Sequence, residues 1–358
     1  MLFRIRRFLR RVSLKSLGKF GLFIFSLFLF MLALIFLKEG AKQLGPFVRN
    51  YLDVNNAANA LGFGWLFAYS VMSGSPVAAI TLTLLDVGTL DRLEAFAMIN
   101  GSRLGASFIV LFVGFLYSLR GKERRLSMST GMLSLLVTQT TYLPALFLGG
   151  WLLGTGWLDK FQLANALQLS SVFDWIFDPI TGFLLSFLPR WAIFILGFLV
   201  MMGSFSLIDR SLPEIKLEDT GFGGMARILY RPLFTFLLGA GVTTLTMSVS
   251  LSVSILVPLS MRGYIQRENI IPYVMGANIT TFIDTLIASV LLGNPHAFTV
   301  VLLEMLSVSL VSLIIISFFY IRYERAILQL EEGLLTRRSA LMIYMFGIVG
   351  IPILLMLF

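Results

Sequence analysis

The chain contains no cysteine and a single histidine, His296, among its 358 residues. Without cysteine the fold has no disulfide bond and no thiolate metal site, and a lone histidine excludes the usual clusters of imidazole ligands. Charged residues are also sparse, at 13% of the chain, whereas 57% of the residues are hydrophobic. A soluble protein of this length could not cover its surface with so few charges, so the composition indicates a membrane protein.

The sequence also lacks the motifs that mark common enzymes. It has no glycine-rich phosphate loop of the Walker type, no histidine-based triad and no metal-ligand cluster. We therefore expect neither an enzyme nor ATP-driven transport by this chain alone, and no cofactor. The formal charge of +9 does not indicate nucleic-acid binding, because the basic residues cluster beside apolar runs. That distribution is typical of the cytoplasmic loops of membrane proteins.

Apolar runs recur along the chain, and about 20 residues suffice for one bilayer crossing. Residues 1–19 carry seven basic residues and no acidic residue, which predicts a cytoplasmic N-terminal segment at the inner cell membrane. A retained anchor is favoured over a signal peptide, because no small-residue cleavage site follows the first apolar run. The predicted full spans are Phe20–Leu37, Ala95–Leu119, Ser127–Gly150, Trp191–Ile208, Ile271–Leu292, Phe298–Tyr320 and Leu341–Phe358.

The segments between these spans are more polar. We expect Lys38–Asn56 to form a loop or short helix outside, and the acidic residues of Asp86–Glu94 to lie in water. Ser171–Leu188 is apolar but contains two aspartates and a proline, so it is interpreted as interfacial or partly inserted. Residues 209–231 are predicted to be a cytoplasmic linker, and Arg322–Arg338 a cytoplasmic loop.

One apolar segment, Ala57–Leu85, is too long for a comfortable span and is interrupted by Ser73–Pro76, with sequence Ser-Gly-Ser-Pro. Glycine and proline break helices, and broken backbone is tolerated at membrane depth only inside protein or beside a wet cavity. Each arm has roughly 12 residues and a length of about 18 Å, which reaches the middle of the apolar layer. The pattern favours a re-entrant hairpin over one kinked, tilted helix.

The same interruption recurs in the second half of the chain. Met247–Ser250 repeats the Met-Ser-x-Ser pattern of Met72–Ser75 at an offset of 175 positions (247 − 72 = 175). At this offset three pairs of glycines also coincide, namely Gly64 with Gly239, Gly88 with Gly263 and Gly101 with Gly276. Weak internal symmetry with interrupted apolar segments at corresponding positions is typical of transporters built from repeats.

The sequence therefore predicts an all-α polytopic membrane protein made of two inverted repeats. The first repeat covers 20–189, with a hairpin at 57–85, and the second covers 190–358, with a hairpin at 232–259. Inversion is favoured by the basic residues: if Ser171–Leu188 were a full span, the arginines that follow Tyr320 would lie outside.

The second hairpin is followed by Gly276–Thr281, with sequence Gly-Ala-Asn-Ile-Thr-Thr. Together with the two serine-bearing breaks, this stretch resembles the sodium-dependent phosphate cotransporter family (type II and its bacterial relatives). That family carries a Gln-Ser-Ser-Ser tip in each of two inverted repeats, followed by Gly-Ala-Asn-Ile-Gly-Thr-Thr. The resemblance covers about residues 18–120 and 190–320. It implies alternating-access symport of inorganic phosphate, or a similar small oxyanion, with sodium.

The chain also departs from the family pattern. Both glutamines fall on methionines, Met72 and Met247, and the asparagine of the first repeat falls on Arg103. Two alternatives therefore stay open. One is a divergent member that no longer transports and serves as a membrane scaffold or sensor, and the other is a channel or exporter for another small anion. The expected partners are the anion, sodium and the lipid bilayer, with oligomerisation left open.

The candidate substrate-binding residues lie at the two breaks or at the helix starts that follow them. Serine hydroxyls and free N–H groups at helix starts attract anions, and the planar fork of arginine fits an oxyanion. A serine could instead bond to its own helix, and Arg103 could simply pair with Asp284 or Glu304. The substrate candidates are Ser73, Ser75, Ser248, Ser250, Arg103 and Asn278. The sodium candidates, which offer oxygen atoms to a hard cation, are Thr280, Thr281, Asp284 and Ser252.

Overall fold

The computed structural model describes residues 14–119, 124–160, 166–211, 231–254, 256 and 266–357, and these residues are helical apart from short turns, with no β-strand among them. The prediction of an all-α protein is thus confirmed. Within the described ranges the helices are α1 (Leu14–Asn50), α2 (Ala57–Val71), α3 (Ser75–Asp86), α4 (Arg92–Leu119), α5 (Arg124–Thr155), α6 (Ala166–Leu185), α7 (Arg190–Ser211), α8 (Pro232–Thr246), α9 (Val249–Ser254), α10 (Arg267–Thr280), α11 (Phe282–Leu291), α12 (Pro295–Ile314), α13 (Tyr320–Thr336) and α14 (Arg338–Leu355).

In the described part of the chain, seven helical segments are long and apolar enough to cross a membrane, which is consistent with a multi-pass membrane protein. Each of them overlaps one of the seven predicted spans. Most of the predicted basic N-terminal segment and of the linker at 209–231 lies outside the described residues. The seven segments are Gly18–Asn50, Arg92–Leu116, Met128–Thr155, Arg190–Ser211, Arg267–Leu291, Pro295–Thr336 and Arg338–Leu355.

The segment 38–56, predicted to be a loop or short helix, is helical as far as Asn50, and the predicted loop at 322–338 is helical as far as Thr336. Residues 38–50 continue α1, and this extension packs on α7, where a Cβ added to Gly40 would lie 2.6 Å from the backbone nitrogen of Phe194. Residues 320–336 form α13, which a π-helical turn joins to α12. Arg267, at the start of α10, forms an ion pair with the buried Glu331 of α13. Tertiary contacts thus keep both charged segments helical where their composition alone suggests loops.

The prediction that Asp86, Asp91 and Glu94 are solvated is wrong for Asp86 and Glu94, whereas Asp91 is exposed. Lys38 Nζ lies 2.8 Å from Asp86 Oδ2, and Asn294 Nδ2 donates to the other oxygen of Asp86 at 2.9 Å. Arg49 donates to both carboxylate oxygens of Glu94, at 2.7 and 2.9 Å, and Glu94 is only 3% exposed. Both basic partners lie on the extension of α1, so the helix that was predicted to end early supplies the counter-charges.

Both interrupted segments consist of two helices separated by a residue in the left-handed conformation. α2 ends at Val71 and is followed by Met72 with φ of 55°, and α8 ends at Thr246 and is followed by Met247 with φ of 50°. Pro76 lies in the first turn of α3, where its missing N–H costs nothing. Neither segment is therefore one continuous helix.

Helices α2 and α4 pack with their backbones in direct contact. A Cβ added to Gly101 would lie 2.1 Å from the carbonyl oxygen of Leu61, and one added to Gly105 would lie 2.4 Å from that of Trp65. Since the contact advances by four residues along both helices, α2 and α4 run in the same direction. Only glycine allows this approach, because any side chain at these positions would overlap a carbonyl oxygen.

Helices α8 and α10 pack in the same way at positions 175 residues later. A Cβ on Gly276 would lie 1.9 Å from the carbonyl oxygen of Phe236, and one on Gly239 would lie 2.0 Å from that of Tyr273. The corresponding contacts in the first half join Gly101 to Leu61 and Gly64 to Met98. Two of the three glycine pairs that coincide in the sequence, Gly64 with Gly239 and Gly101 with Gly276, therefore make the same helix–helix contacts.

This packing predicts different outcomes for two glycines of the same helix. Gly239→Ala should destabilise the protein by at least about 1–3 kcal/mol, because the new methyl group overlaps a carbonyl oxygen. Gly241→Ala, the matched control, meets no atom within 4 Å, so it should be neutral or stabilise α8 by up to about 1 kcal/mol. Thermal unfolding of the purified variants in detergent checks this, and equal melting temperatures would contradict the packing.

Candidate functional site

The two helix breaks meet at a small polar cavity beside α4, α5 and the junction of α10 and α11. The cavity has a volume of about 20 Å³, which accommodates roughly one water-sized occupant. Five of the eight polar residues on its wall come from the two breaks and from α4, and the other three come from α5, from α10 and from the junction of α10 and α11. Its polar lining residues are Ser73, Ser75, Arg103, Ser107, Tyr142, Ser248, Asn278 and Thr281.

Among the described residues that line the cavity, Arg103 is the only charged one, and it is 5% exposed. Its Nη1 donates to Ser75 Oγ and to Thr281 Oγ1, both at 3.3 Å. Its Nη2 donates to Thr285 Oγ1 at 2.5 Å and to Asp284 Oδ1 at 3.4 Å. One guanidinium thus connects α4 with the start of α3 and with α11, which lies about half the chain away.

The guanidinium of Arg103 and the carboxylate of Asp284 each have one polar atom without a hydrogen-bond partner among the described residues. The carbon atom Cζ of Arg103 lies 5.0 Å from the ring centroid of Phe282, a cation–π contact. Its Nε finds no acceptor among the described residues, and Asp284 Oδ2 finds no donor there. Asp284 Oδ1 accepts from the backbone nitrogen and the hydroxyl of Thr285, at 2.5 and 2.8 Å. Asp284 therefore offers one oxygen that could hold a cation.

Helix α5 forms one side of the cavity, although the repeated motifs lie on other helices. Tyr142 donates its hydroxyl to the carbonyl oxygen of Asn278 at 2.8 Å, and Asn278 Nδ2 donates to Thr138 Oγ1 at 3.1 Å. Sequence analysis missed both α5 residues, because no motif marked them. Ser107 and Thr285 were also missed, although each lies one helical turn after a residue that was identified.

Six residues were predicted from the sequence to bind substrate, and five of them line the cavity. These five come from four separate segments, so tertiary folding alone brings them together. The sixth is Ser250, whose side chain lies outside the described residues. The five residues are Ser73, Ser75, Arg103, Ser248 and Asn278.

The four predicted sodium ligands are divided. Thr281 lines the cavity and Asp284 bonds to Arg103, but the other two do not line it. Thr280 Oγ1 donates to the carbonyl oxygen of Ala240 at 3.0 Å, because adjacent residues of a helix face different directions. Ser252 Oγ lies 2.8 Å from Thr243 Oγ1 within the second break. These two hydroxyls hold α8 against its neighbours rather than facing the cavity.

Backbone strain is concentrated at the same place. Met72 and Met247 both adopt the left-handed conformation, which costs a residue with a Cβ about 1–2 kcal/mol. Each methionine directly precedes a serine of the cavity wall, Ser73 and Ser248. Strained backbone of this kind is often held at ligand sites by the surrounding fold.

No protein-family model matches this chain, and neither a curated protein nor a solved structure is significantly similar to it. The resemblance to phosphate cotransporters therefore depends on the sequence motifs alone.

The buried pair of Arg103 and Asp284 predicts a strongly non-additive mutational cycle. Asp284→Asn should destabilise the protein by about 3–5 kcal/mol, because it leaves the guanidinium buried without a counter-charge. Arg103→Gln should be similarly destabilising, because it leaves the carboxylate of Asp284 buried without a counter-charge. The double variant should recover part of the loss, since neither charge then stays alone. Unfolding temperatures of the four proteins measure the coupling, and simple additivity would show that the two charges are independent.

Proposed function

We propose that this protein is a secondary transporter that moves inorganic phosphate, or a similar small oxyanion, together with sodium across the cell membrane by alternating access. It would be a divergent member of the sodium-dependent phosphate cotransporter family. The observation that carries the proposal is the buried Arg103 in a hydroxyl-lined cavity where the two helix breaks meet. A guanidinium surrounded by hydroxyl donors attracts an anion, and a charge-assisted hydrogen bond is roughly twice as strong as a neutral one.

The proposed architecture is a pair of inverted repeats, each with a re-entrant hairpin. Supporting it, α2 and α8 both have 15 residues and start 175 positions apart, at Ala57 and Pro232. Because α2 and α4 run in the same direction and a short turn joins α3 to α4, α3 must return towards the side from which α2 starts. The tips of both proposed hairpins contribute to one cavity, as expected of a transporter site at the repeat interface.

The proposed coupling to sodium depends on competition between Asp284 and the anion for the guanidinium of Arg103. In the conformation described, Asp284 bonds to the guanidinium and partly neutralises it. An incoming anion must compete with this carboxylate. A sodium ion held by Asp284 Oδ2 and Thr281 would neutralise the carboxylate and leave the guanidinium to the anion. Sodium and the anion would then bind more strongly together than either does alone, which is the requirement for symport.

The size of the cavity favours a second candidate substrate. A volume of about 20 Å³ has room for a single water-sized occupant. A monatomic anion such as chloride occupies less space than a tetrahedral oxyanion, so it needs less rearrangement of the cavity wall. A channel or exporter for a monatomic anion is therefore the alternative function that this geometry supports.

Uptake of phosphate into proteoliposomes tests the proposed function directly. An inward sodium gradient should drive saturable uptake by the native protein. The double variant Ser75→Ala with Ser250→Ala should lose it, because both hairpin tips lose a hydroxyl donor. Ser309→Ala is the control, since its hydroxyl donates to the carbonyl oxygen of Met305 in its own helix at 2.6 Å. Unchanged uptake by the folded double variant would exclude the site, and transport of chloride without transport of phosphate would favour the second candidate.

Arg103 variants separate the charge from the shape of the side chain. Arg103→Lys keeps a positive charge but loses the planar fork, so anion affinity should fall by about tenfold, or roughly 1.4 kcal/mol. Arg103→Asn restores the residue found at the repeat-related position, Asn278, and should make binding depend more steeply on sodium or abolish it. Titration calorimetry at several sodium concentrations measures both effects. Identical affinity and sodium dependence in all three proteins would show that Arg103 only pairs with Asp284.

A further inference from the structure

A second buried acid lies near the cavity but outside its wall. Glu304, on α12, is 0% exposed, and neither carboxyl oxygen has a hydrogen-bond or ion-pair partner among the described residues. This isolation contrasts with Glu331, which is equally buried but forms an ion pair with Arg267. An isolated carboxylate in an apolar interior is so unfavourable that such a group takes up a proton instead.

The charges around Glu304 do not replace a direct partner. Among the described residues, Arg103 on α4 and Tyr142 on α5 interact electrostatically with Glu304, and Tyr142 also lies in the field of Asp284 on α11. The field of Arg103 reaches Glu304, but its guanidinium donates to Asp284 and to hydroxyl groups of other residues. The ionisable residue at the end of α3, Asp86, pairs with Lys38 and so faces elsewhere.

Asn100, on α4, is an uncharged polar side chain that interacts with Glu304. Asn100 Nδ2 donates to the carbonyl oxygen of Tyr142 at 3.3 Å, while Asn100 Oδ1 has no donor among the described residues. No hydrogen bond of standard geometry joins the Asn100 amide to the carboxyl group of Glu304. A carboxylate and an amide oxygen both accept, whereas the O–H of a neutral Glu304 donates.

A row of hydroxyls on α5 extends from the cavity wall towards Arg124. Thr130, Ser134 and Thr138 follow one another at intervals of four residues, so they share one face of the helix. All three are buried, and the hydroxyls of Thr130 and Ser134 have no partner among the described residues. Thr138 bonds to Asn278 of the cavity wall. Buried ionisable and hydroxyl groups within membrane helices often mark a path for protons.

We propose that Glu304 is a proton-binding site, neutral in the conformation described here, and that its proton crosses the membrane together with the anion bound at Arg103. The second part depends on the proposed transport function, and the first does not. The step is an acid–base equilibrium: the carboxylate takes a proton from water on one side of the membrane and returns it to water on the other. The positive charge of the proton offsets one negative charge of the anion.

The position of the hydroxyl row on α5 indicates on which side of the membrane the proton leaves. The row starts at the α5 end that follows the predicted cytoplasmic loop and ends one turn before Tyr142, whose carbonyl oxygen accepts from Asn100. In the proposed path, protons leave along this row towards the predicted cytoplasmic side when the anion is released inside.

Infrared spectroscopy of the purified full-length protein tests the protonation itself. At pH 8 the native protein should show the C=O absorption of a protonated carboxyl group, and Glu304→Gln should lose it. Glu331→Gln is the matched control, because its carboxylate is buried but paired, and should keep the band. If Glu304→Gln does not fold, Glu304→Asp should shift the band. A native spectrum without this band, or a band that survives in Glu304→Gln, would overturn the proposal.

Transport in proteoliposomes then tests the coupling. With an acidic exterior and no sodium gradient, the native protein should accumulate phosphate. In Glu304→Gln, accumulation should fall to the level measured without a pH gradient, while exchange of internal for external phosphate persists. Accumulation that is unaffected by the pH gradient in the native protein, or is equal in both proteins, would exclude the coupling. If the native protein moves no anion at all, the proposed function fails, and the infrared result still decides whether Glu304 binds a proton.

Discussion

The positive charge of Arg103 is the constraint on which the centre of this protein depends. A guanidinium that is 5% exposed must find acceptors within the protein, because an isolated buried charge is extremely unfavourable. Its acceptors come from the start of α3 and from α11, so satisfying the charge holds the two halves of the chain together. The same arrangement places hydroxyl donors and a partly used carboxylate around one cavity. The interaction that stabilises the centre therefore also creates the candidate anion site.

Two contacts between glycine-bearing helices set the frame around this centre. α2 approaches α4, and α8 approaches α10, until backbone atoms meet, which positions both helix breaks. Within a membrane the hydrophobic effect does not drive helices together, so close packing of small residues is the main source of their association. The breaks themselves carry strained methionines, Met72 and Met247, and the packed frame holds that strain where the cavity forms.

In the proposed mechanism, sodium and protons both reduce the electrostatic repulsion between the anion and buried acidic residues. An anion brings negative charge to a region that already contains two buried acids, Asp284 and Glu304. Sodium bound at Asp284 and a proton bound at Glu304 would each neutralise one acid and leave Arg103 to the anion. The two acids differ in their surroundings: Asp284 bonds to Arg103 and to Thr285, whereas Glu304 has no described partner. This difference is the physical basis for assigning a cation to one and a proton to the other.

The sequence alone determined the features that depend on local chemistry. The composition predicted the helices and the seven apolar segments, Ser73–Pro76 predicted the first break through its glycine and proline, and the offset of 175 predicted the second. Tertiary structure decided what depends on residues distant in the chain. The charged ends of α1 and α13 stay helical because ion pairs such as Arg49 with Glu94 neutralise them. Likewise, α5 enters the site, Thr280 turns away from it and Glu304 is left without a partner only through packing, because contacts between distant segments leave no periodic signal in the sequence.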